Sequence, residues 1–403
     1  DDPDFDINKA RLFTTVPRIC VRYECVPMRF IKHVYKIHTY AQDGCLFEGK
    51  TPVSAFLNSS YDGSFIAGLM ELRYIQSLPV ERIINYFESH GFTLKKPTAH
   101  KLMEKASSLF ENLYKCIRQT ALSDPYKAAD ETYYKILVPE KNSKGKGVRK
   151  GYLWVVVGIN TRMIYLLYDD GSRSEKVILN ELGGCKGIIQ SDGYSPYRKL
   201  ESDAYPHITR IPCLQHIKRK FIDCGEDDPD AKRIVEMINT LYQNEHKHKI
   251  GVDGWTVEQN LVHRKKYAPD ILGEIKDVLD DIEERGDLLP KSELKEAITY
   301  LRNEWNAVVD IFNYGDTYLD NNIVERMNRY ISLSRKNSLF FGSHKGAERG
   351  AILYTIALTC RMNKVNLFEY LTDVINRTAE WQPNTPLEKY RQLLPDRWEK
   401  AND

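Results

Sequence analysis

Long apolar runs are missing from this chain. The longest, such as Tyr152–Val157, fall far short of the ~20 residues needed to cross a bilayer. No charged, apolar, small-residue secretory pattern opens it either. Cysteine is sparse, eight in 403 residues at irregular spacing, which excludes a disulfide scaffold. Charge of one sign is lacking as well: 58 basic residues against 56 acidic ones leave a formal +2, which excludes a histone-like polycation but says nothing of local patches. Internal repeats and low-complexity tracts are absent. What is present, 42% hydrophobic and 11% aromatic residues, fills a core and excludes wholesale disorder. At ~150 residues per unit the length suggests two or three units. A reduced, cytoplasmic, multidomain protein without a membrane partner is the expectation. The first residue is Asp1 rather than methionine, so upstream sequence is expected.

Six stretches differ in pattern. Residues 1–60 mix short β-prone runs (Ile19–Tyr23, His33–Tyr40) with prolines and glycine and show no helical period. Residues 61–121 predict three helices. Phe65, Leu69, Leu72 and Ile75 mark the first, Val80, Ile83, Ile84 and Phe87 the second, and Leu102 through Ile117 the third. Three short helices with a turn at Gly91 suit a helix-turn-helix DNA reader or a plain helical packing unit, and no basic recognition face stands out. Residues 122–224 read as α/β, with strands at Ala128–Val138, Tyr152–Gly158, Met163–Tyr168 and Gly187–Asp192 and a helix from about Ser174 to Leu182. Three strands, a helix and a further strand is the order in which an RNase H-like fold begins. Residues 225–314 read as helix throughout, and 315–375 resume with helices near Asn321–Leu333 and Ala351–Arg361. Residues 376–403, with Pro383, Pro386 and Pro395, look like a loosely packed tail.

Three acids in this frame are candidates for a shared metal site. Alternation puts Asp130, Thr132, Tyr134 and Ile136 on one strand face, and Asp192 ends a later strand. Neighbouring strands lie ~4.8 Å apart, so the two carboxylates can bridge one cation. Either acid alone is equally an ordinary turn or strand-end residue. On the helix after Gly315, Ile323, Met327, Tyr330, Ile331 and Ser334 form the core stripe. Opposite them lie Asn321, Asn322, Glu325, Asn328, Arg329 and Ser332. That face is a solvated surface or, being rich in amide and arginine, a place to hold phosphates. Magnesium takes oxygen ligands, and a pair of such ions ~3.5–4 Å apart serves in-line phosphoryl displacement. Carboxylates crowded without metal raise one another's pKa.

With those residues in view, the chain resembles the transposases of the insertion-sequence 66 family, bacterial DDE-type enzymes with an RNase H-like core. The blocks that carry the resemblance are Ala129-Asp130-Glu131-Thr132, Gly151-Tyr152-Leu153-Trp154 and Ser191-Asp192-Gly193-Tyr194, followed by Cys213 through Phe221, Asp320 through Arg326, Arg335 through Phe340 with Gly342-Ser343, and Leu393-Leu394-Pro395. By that resemblance the fold is an RNase H-like α/β core interrupted by an all-helical insertion (225–314), preceded by a small helical domain and a β-rich N-terminal segment. It also implies that Asp130, Asp192 and Glu325 are the catalytic triad and bind Mg²⁺, for which Mn²⁺ can substitute. The implied activity is cutting at transposon ends and joining the freed 3′-hydroxyls to target DNA. Implied partners are transposon-end DNA with terminal inverted repeats, target DNA, a second copy of the chain in a synaptic complex, and accessory transposon-encoded proteins. Family members commonly carry an N-terminal zinc-binding cysteine module. Here Cys20, Cys25 and Cys45 form no C-x₂-C pair, so that module reads as degenerate and no zinc is assigned.

Charge is segregated despite the balanced total. Lys141, Lys144, Lys146, Arg149 and Lys150 crowd a loop between the first two strands, and Arg326, Arg329, Arg335, Lys336, Lys345 and Arg349 follow Glu325. Lys218, Arg219 and Lys220 follow His216 on a helix. These groups, with Asn322 and His216, are the candidate DNA contacts, giving affinity that falls with salt. The first cluster is equally a soluble loop. Cys213 and His216 have C-x₂-H spacing but no second pair nearby for zinc. His216 is a phosphate- or water-orienting group beside the carboxylates, or else a structural residue. Trp255 and Trp305 are base-stacking platforms or core. Three functions compete: strand-transferring transposase, RNase H-like metal nuclease that cuts without joining, and catalytically silent transposase-derived DNA-binding protein.

Overall fold

Asp43 and Gly44, both at positive φ (50° and 76°), close a two-residue hairpin between β1 (Thr39–Gln42) and β2 (Cys45–Glu48). The computed structural model describes residues 9, 28–49, 54–56, 59–141, 145, 147–225, 227–382 and 384–400. Ile19–Tyr23, Cys20, Cys25, Lys144 and Lys146 lie outside them. Helix α1 (Gly63–Met70) starts where the Asp62 side chain accepts from the Phe65 N–H, and continues as a π-turn over Glu71–Ile75. Helix α2 (Val80–Ser89) follows Pro79. The third expected helix is in fact two, α3 (Lys96–Leu109) and α4 (Glu111–Leu122). Phe110 leaves helical geometry between them (φ −92°, ψ 3°) while its ring is fully buried, so α3 and α4 offer separate apolar faces.

The centre of the protein is a mixed sheet. Strands β3 (Tyr126–Leu137), β4 (Val148–Gly158), β5 (Met163–Leu167), β6 (Gly187–Ser191) and β7 (Ile208–Pro212) stand in the order β5-β4-β3-β6-β7. Strands β4 and β5 run antiparallel to their neighbours, whereas β6 and β7 run parallel to β3. Helix α5 (Glu175–Leu182) crosses from β5 to β6, α6 (Ser195–Arg198) follows β6, and α7 (Leu214–Ile222) follows β7. Gly187 opens β6 at φ +91°, where a Cβ would collide with the Pro125 carbonyl oxygen, so only glycine lets β6 start against β3. Strand β4 begins earlier than alternation predicts, which puts Arg149 and Lys150 on the strand rather than the loop.

Helices α8 (Pro229–Glu245), α9 (Val257–Glu284) and α10 (Glu293–Ile311) form the insertion. They share a second core built on Ile234, Leu241, Ile275, Leu279, Ile298 and Leu301, and Tyr126, Ile188 and Ile211 join that core to the sheet. Helix α11 (Asn322–Ser338) then leads into β8 (Phe340–Phe341), which pairs with the far end of β3. Helix α12 (His344–Met362) covers the edge strand β5. There the Leu166 N–H donates to Thr355 Oγ1 (2.9 Å) and Thr359 Oγ1 donates to the Ile164 carbonyl (2.8 Å), so the exposed ladder is blunted. The first core runs unbroken from α1 through the sheet to α13 (Leu367–Thr378) and α14 (Leu387–Arg391). The expected loose tail is therefore corrected: Tyr390, Leu393 and Leu394 are buried, and Trp398 Nε1 donates to Asp373 (2.6 Å). No described helix is long and apolar enough to cross a membrane.

Candidate active site

Register decides where two of the three acids meet. In the parallel pairing of β3 with β6, Ala128 lies opposite Gln190. Extending that register two residues sets Asp130 beside Asp192, just past the end of β6, at the ~4.8 Å spacing of neighbouring strands. Asp130 is held by the Glu131 N–H on Oδ1 (2.8 Å) and by Asn328 Nδ2 on Oδ2 (2.9 Å). Burial, then the charges of Glu131 and Asp192, push its carboxyl up to about 8 despite those two bonds. Neither Asp130 nor Asp192 has an ion-pair partner among the described residues.

Asp192 is fixed from the side of the insertion. Its Oδ1 accepts from the Tyr194 N–H (3.1 Å), the Gly193 N–H donates to Tyr300 Oη (2.8 Å), and Arg210 donates to the Asp192 carbonyl (3.1 Å). Arg210 is fully buried and paired with Glu304 on α10 and with Glu201. These groups escaped the sequence reading. Strand β7 is short and carries a charge in its middle, and Arg210 finds its partner in Glu304, remote in the chain. A signal did exist: Glu304 sits between Leu301 and Val308 on the apolar stripe of α10, where an acid demands a buried partner. Glu131, also missed, pairs with Arg173, whose guanidinium stacks on Tyr194 (4.1 Å).

Glu325 arrives on the first turn of α11. Asn321, the buried N-cap residue, donates from Nδ2 to the Ala129 carbonyl (3.0 Å), and Asn328 reaches Asp130 one turn later, so two amides dock α11 on β3 beside the aspartate. Asn321 and Asn328 on this face are therefore anchors, whereas Asn322 stays exposed. The stripe expected to face inward does so, with Ile331 and Ser334 buried and Ser334 bonded to Arg73 (2.9 Å).

The oxygens of Asp130, Asp192 and Glu325 are not all drawn within metal-sharing distance. Among the described residues, the group whose donor atoms all lie within 4.8 Å of one another is Cys213, His216 and Glu325. Glu325 Oε1 is buried without a hydrogen-bond partner and lies 3.9 Å from His216 Nε2. Spacing alone did not reveal this grouping, because its third member lies far along the chain.

The expected DNA contacts divide into two kinds. Asn322, Arg326, Arg329, Lys336, Arg149, Lys150, Arg219 and Lys220 are exposed. Lys150 lies over Tyr133 (4.3 Å) and Lys220 over Tyr300 (5.9 Å). Lys218 is half-buried near the Tyr242 ring (6.0 Å). Arg335 is committed to the protein: it donates to the Tyr133 carbonyl (2.6 Å) and stacks on that ring (3.9 Å). In the insertion, Trp305 packs on the helical core, and Trp255 is already stacked on His248 (3.9 Å, 14°).

The chain is thus a mixed α/β protein in which Asp130, inside β3, and Asp192, just past β6, lie on neighbouring strands. Residues 58–349 match the family model described as transposase IS66 family, and the chain belongs to that family. It is also similar to three proteins of Sinorhizobium fredii named only as uncharacterized. It is 26% identical to y4jD over 346 residues, 82% of this chain and 65% of that one. With y4hP it shares 24% over 404 residues (94% and 70%), and with y4qI 26% over 385 residues (91% and 69%). The chain thus spans about two thirds of the length of these relatives.

Proposed function

We propose that this protein is a DDE-type transposase that cleaves at transposon ends and transfers the freed 3′-hydroxyls into target DNA. The observation that carries this reading is the convergence of Asp130 and Asp192 across β3 and β6, with α11 bringing Glu325 to the same end of the sheet. The sheet supports it too. A five-strand order in which only the second strand, β4, runs against the others is the arrangement expected of an RNase H-like core, with helices α8–α10 as an insertion.

The residues suit hard divalent ions. The donors are all carboxylate oxygens, the half-buried Asp130 has its carboxyl pushed up to about 8, and Glu325 Oε1 has no partner. Asp130, Asp192 and Glu325 would hold Mg²⁺ or Mn²⁺, which when bound neutralises charge on the attacking and leaving oxygens of the displaced phosphate. The chain's own part is positioning. Asn328 orients Asp130, Tyr300 and Arg210 fix the turn that presents Asp192, and Arg326 and Arg329 neutralise flanking phosphates. Synapsis of two ends calls for a second copy of the chain, and accessory transposon-encoded proteins would act alongside it.

The test is joining of a pre-cut end with a free 3′-hydroxyl to plasmid DNA in Mg²⁺. Asp192→Asn and Glu325→Gln are each expected to lower joining on the order of a thousandfold, ~4 kcal/mol of transition-state stabilisation. Joining undiminished in both variants sinks the assignment. Cutting without joining by the parent identifies the metal nuclease instead, and DNA binding with neither reaction identifies the silent DNA-binding protein. Arg326 and Arg329 are exposed and have no ion-pair partner among the described residues. Arg326→Ala and Arg329→Ala are expected to flatten the slope of log affinity against log salt by about one each if each contacts a phosphate. Unchanged slopes in a binding titration remove them from the DNA path.

A further inference from the structure

We propose that Cys213, His216 and Glu325 form a site for a thiophilic divalent metal ion, Zn²⁺, and that its occupation draws Glu325 away from the Asp130–Asp192 pair. The thiol, the imidazole and the carboxylate come from two helix starts that face each other. Cys213 caps α7 and His216 lies in its first turn, while Glu325 lies in the first turn of α11. Their donor atoms lie within 4.8 Å of one another, and His216 Nε2 is 3.9 Å from Glu325 Oε1. Zinc bonds of ~2.3 Å to sulfur and ~2.0–2.2 Å to nitrogen and oxygen place tetrahedral ligand atoms somewhat closer than this, so modest side-chain rotations close the site.

Three further features favour an ion there. Glu325 Oε1 is buried without a hydrogen-bond partner, and an unmet buried acceptor costs on the order of 1–3 kcal/mol that a metal bond removes. The Asn321 N–H already donates to Cys213 Sγ (3.2 Å), the outer hydrogen bond that steadies a metal thiolate. The N–H groups at the starts of α7 and α11 offset part of the burial that pushes the Cys213 thiol up to about 12, so an ion there must displace its proton. A thiolate and an imidazole select zinc-like ions, whereas magnesium prefers oxygen alone. Three protein ligands leave the fourth position of the ion open to water.

The inhibitory half of this inference rests on the catalytic role proposed for Glu325; the binding half does not. The full chain, stripped with chelator, is titrated with Co²⁺ as a spectroscopic probe and then with Zn²⁺. About one equivalent of Co²⁺ is expected to give a thiolate charge-transfer band that zinc displaces. Cys213→Ser is expected to lose that band, and His216→Ala to weaken zinc binding by at least about a hundredfold. A parent without the band, or a band of equal strength in Cys213→Ser, overturns the site. Should Cys213→Ser not fold, an unaltered band in both His216→Ala and Glu325→Gln overturns it equally. In the joining reaction, zinc is expected to inhibit the parent in Mg²⁺ and to spare Cys213→Ser; equal inhibition of both overturns the competition. A cobalt band that depends on Cys213 in a protein that never joins DNA leaves the metal site standing and rejects the transposase chemistry. Joining without such a band does the reverse.

Discussion

Asp130→Asn is expected to make the metal-free protein more stable while it abolishes strand joining. The Asp130 carboxyl titrates at about 8 in the fold against an ordinary value of 3.8, because burial and the neighbouring charges of Glu131 and Asp192 disfavour its ionised form. The sign follows from proton linkage. Between about pH 4 and about pH 8 the folded state keeps a proton that the unfolded chain has released, so stability falls as pH rises through that window and levels off above it. Each pKa unit corresponds to ~1.36 kcal/mol, and relaxation around a charged Asp130 reduces the total to a few kcal/mol.

Asparagine carries no charge and keeps an acceptor for the Glu131 N–H. The Asn328 amide, whose Oδ1 has no partner, can turn to accept from the new NH₂. Urea unfolding in chelator at about pH 5 and about pH 8.5 checks this: the parent should lose stability between the two values, and the variant should lose a few kcal/mol less. Adding Mg²⁺ should restore the parent at high pH, because a ligand that binds only the folded state stabilises it, and should not restore the variant. A parent whose stability is flat across the window means that the Asp130 carboxylate is not strained, and the physical case for a metal there goes with it. A site that destabilises its own apoprotein is the usual trade of stability for activity.

The strands that bear the two aspartates were legible because they obey local rules. Alternation marked β3, a glycine before and after marked β6, and the spacing of Asp130 and Asp192 matches the register in which those strands pair. Amphipathic spacing likewise gave α11 its buried face. Local rules fail where a partner is remote. Strand β7 is five residues with Arg210 at its centre, and that charge is made tolerable in the core by Glu201 together with the remote Glu304 on α10. Cys213 and His216 had no visible third partner until α11 folded back beside α7. The break at Phe110 was hidden because apolar spacing continues through it, and Arg335 looked like a phosphate ligand because a sequence cannot show the Tyr133 carbonyl it binds. The helical insertion was visible as helix, but its contact with the Asp192 turn through Tyr300 was not.

Arg264→Ala is expected to cause the largest loss of stability of any single change considered, about 3–5 kcal/mol. Arg264 on α9 is fully buried. It bonds Glu245 on α8 through Nε (3.0 Å), the Ile311 carbonyl (3.3 Å), and Thr317 at both its hydroxyl (2.7 Å) and its carbonyl (2.6 Å), besides the Tyr314 carbonyl. Removing the guanidinium strands these acceptors and leaves the Glu245 carboxylate without its charge partner.

Burial alone would push that carboxyl up, but the bonds and charge from Arg264, with help from Tyr267 and Asn260, more than offset it and hold it below the ordinary 4.5. Its contribution is therefore present above about pH 4.5 and lost as pH falls through its lower folded value, so the penalty of Arg264→Ala should shrink in acid. Lysine cannot replace the fork of donors, so Arg264→Lys should also be poor.

The bonds to Tyr314 and Thr317 also hold the segment that leads into α11, so the same change should loosen Glu325 and depress joining even where the variant stays folded. Urea unfolding followed by tryptophan fluorescence, with Trp255 and Trp305 both in the insertion, measures the first effect. A double-mutant cycle with Glu245→Gln separates the ion pair from the backbone bonds. A loss below about 1 kcal/mol would mean that the insertion and α11 are held by their apolar contacts alone.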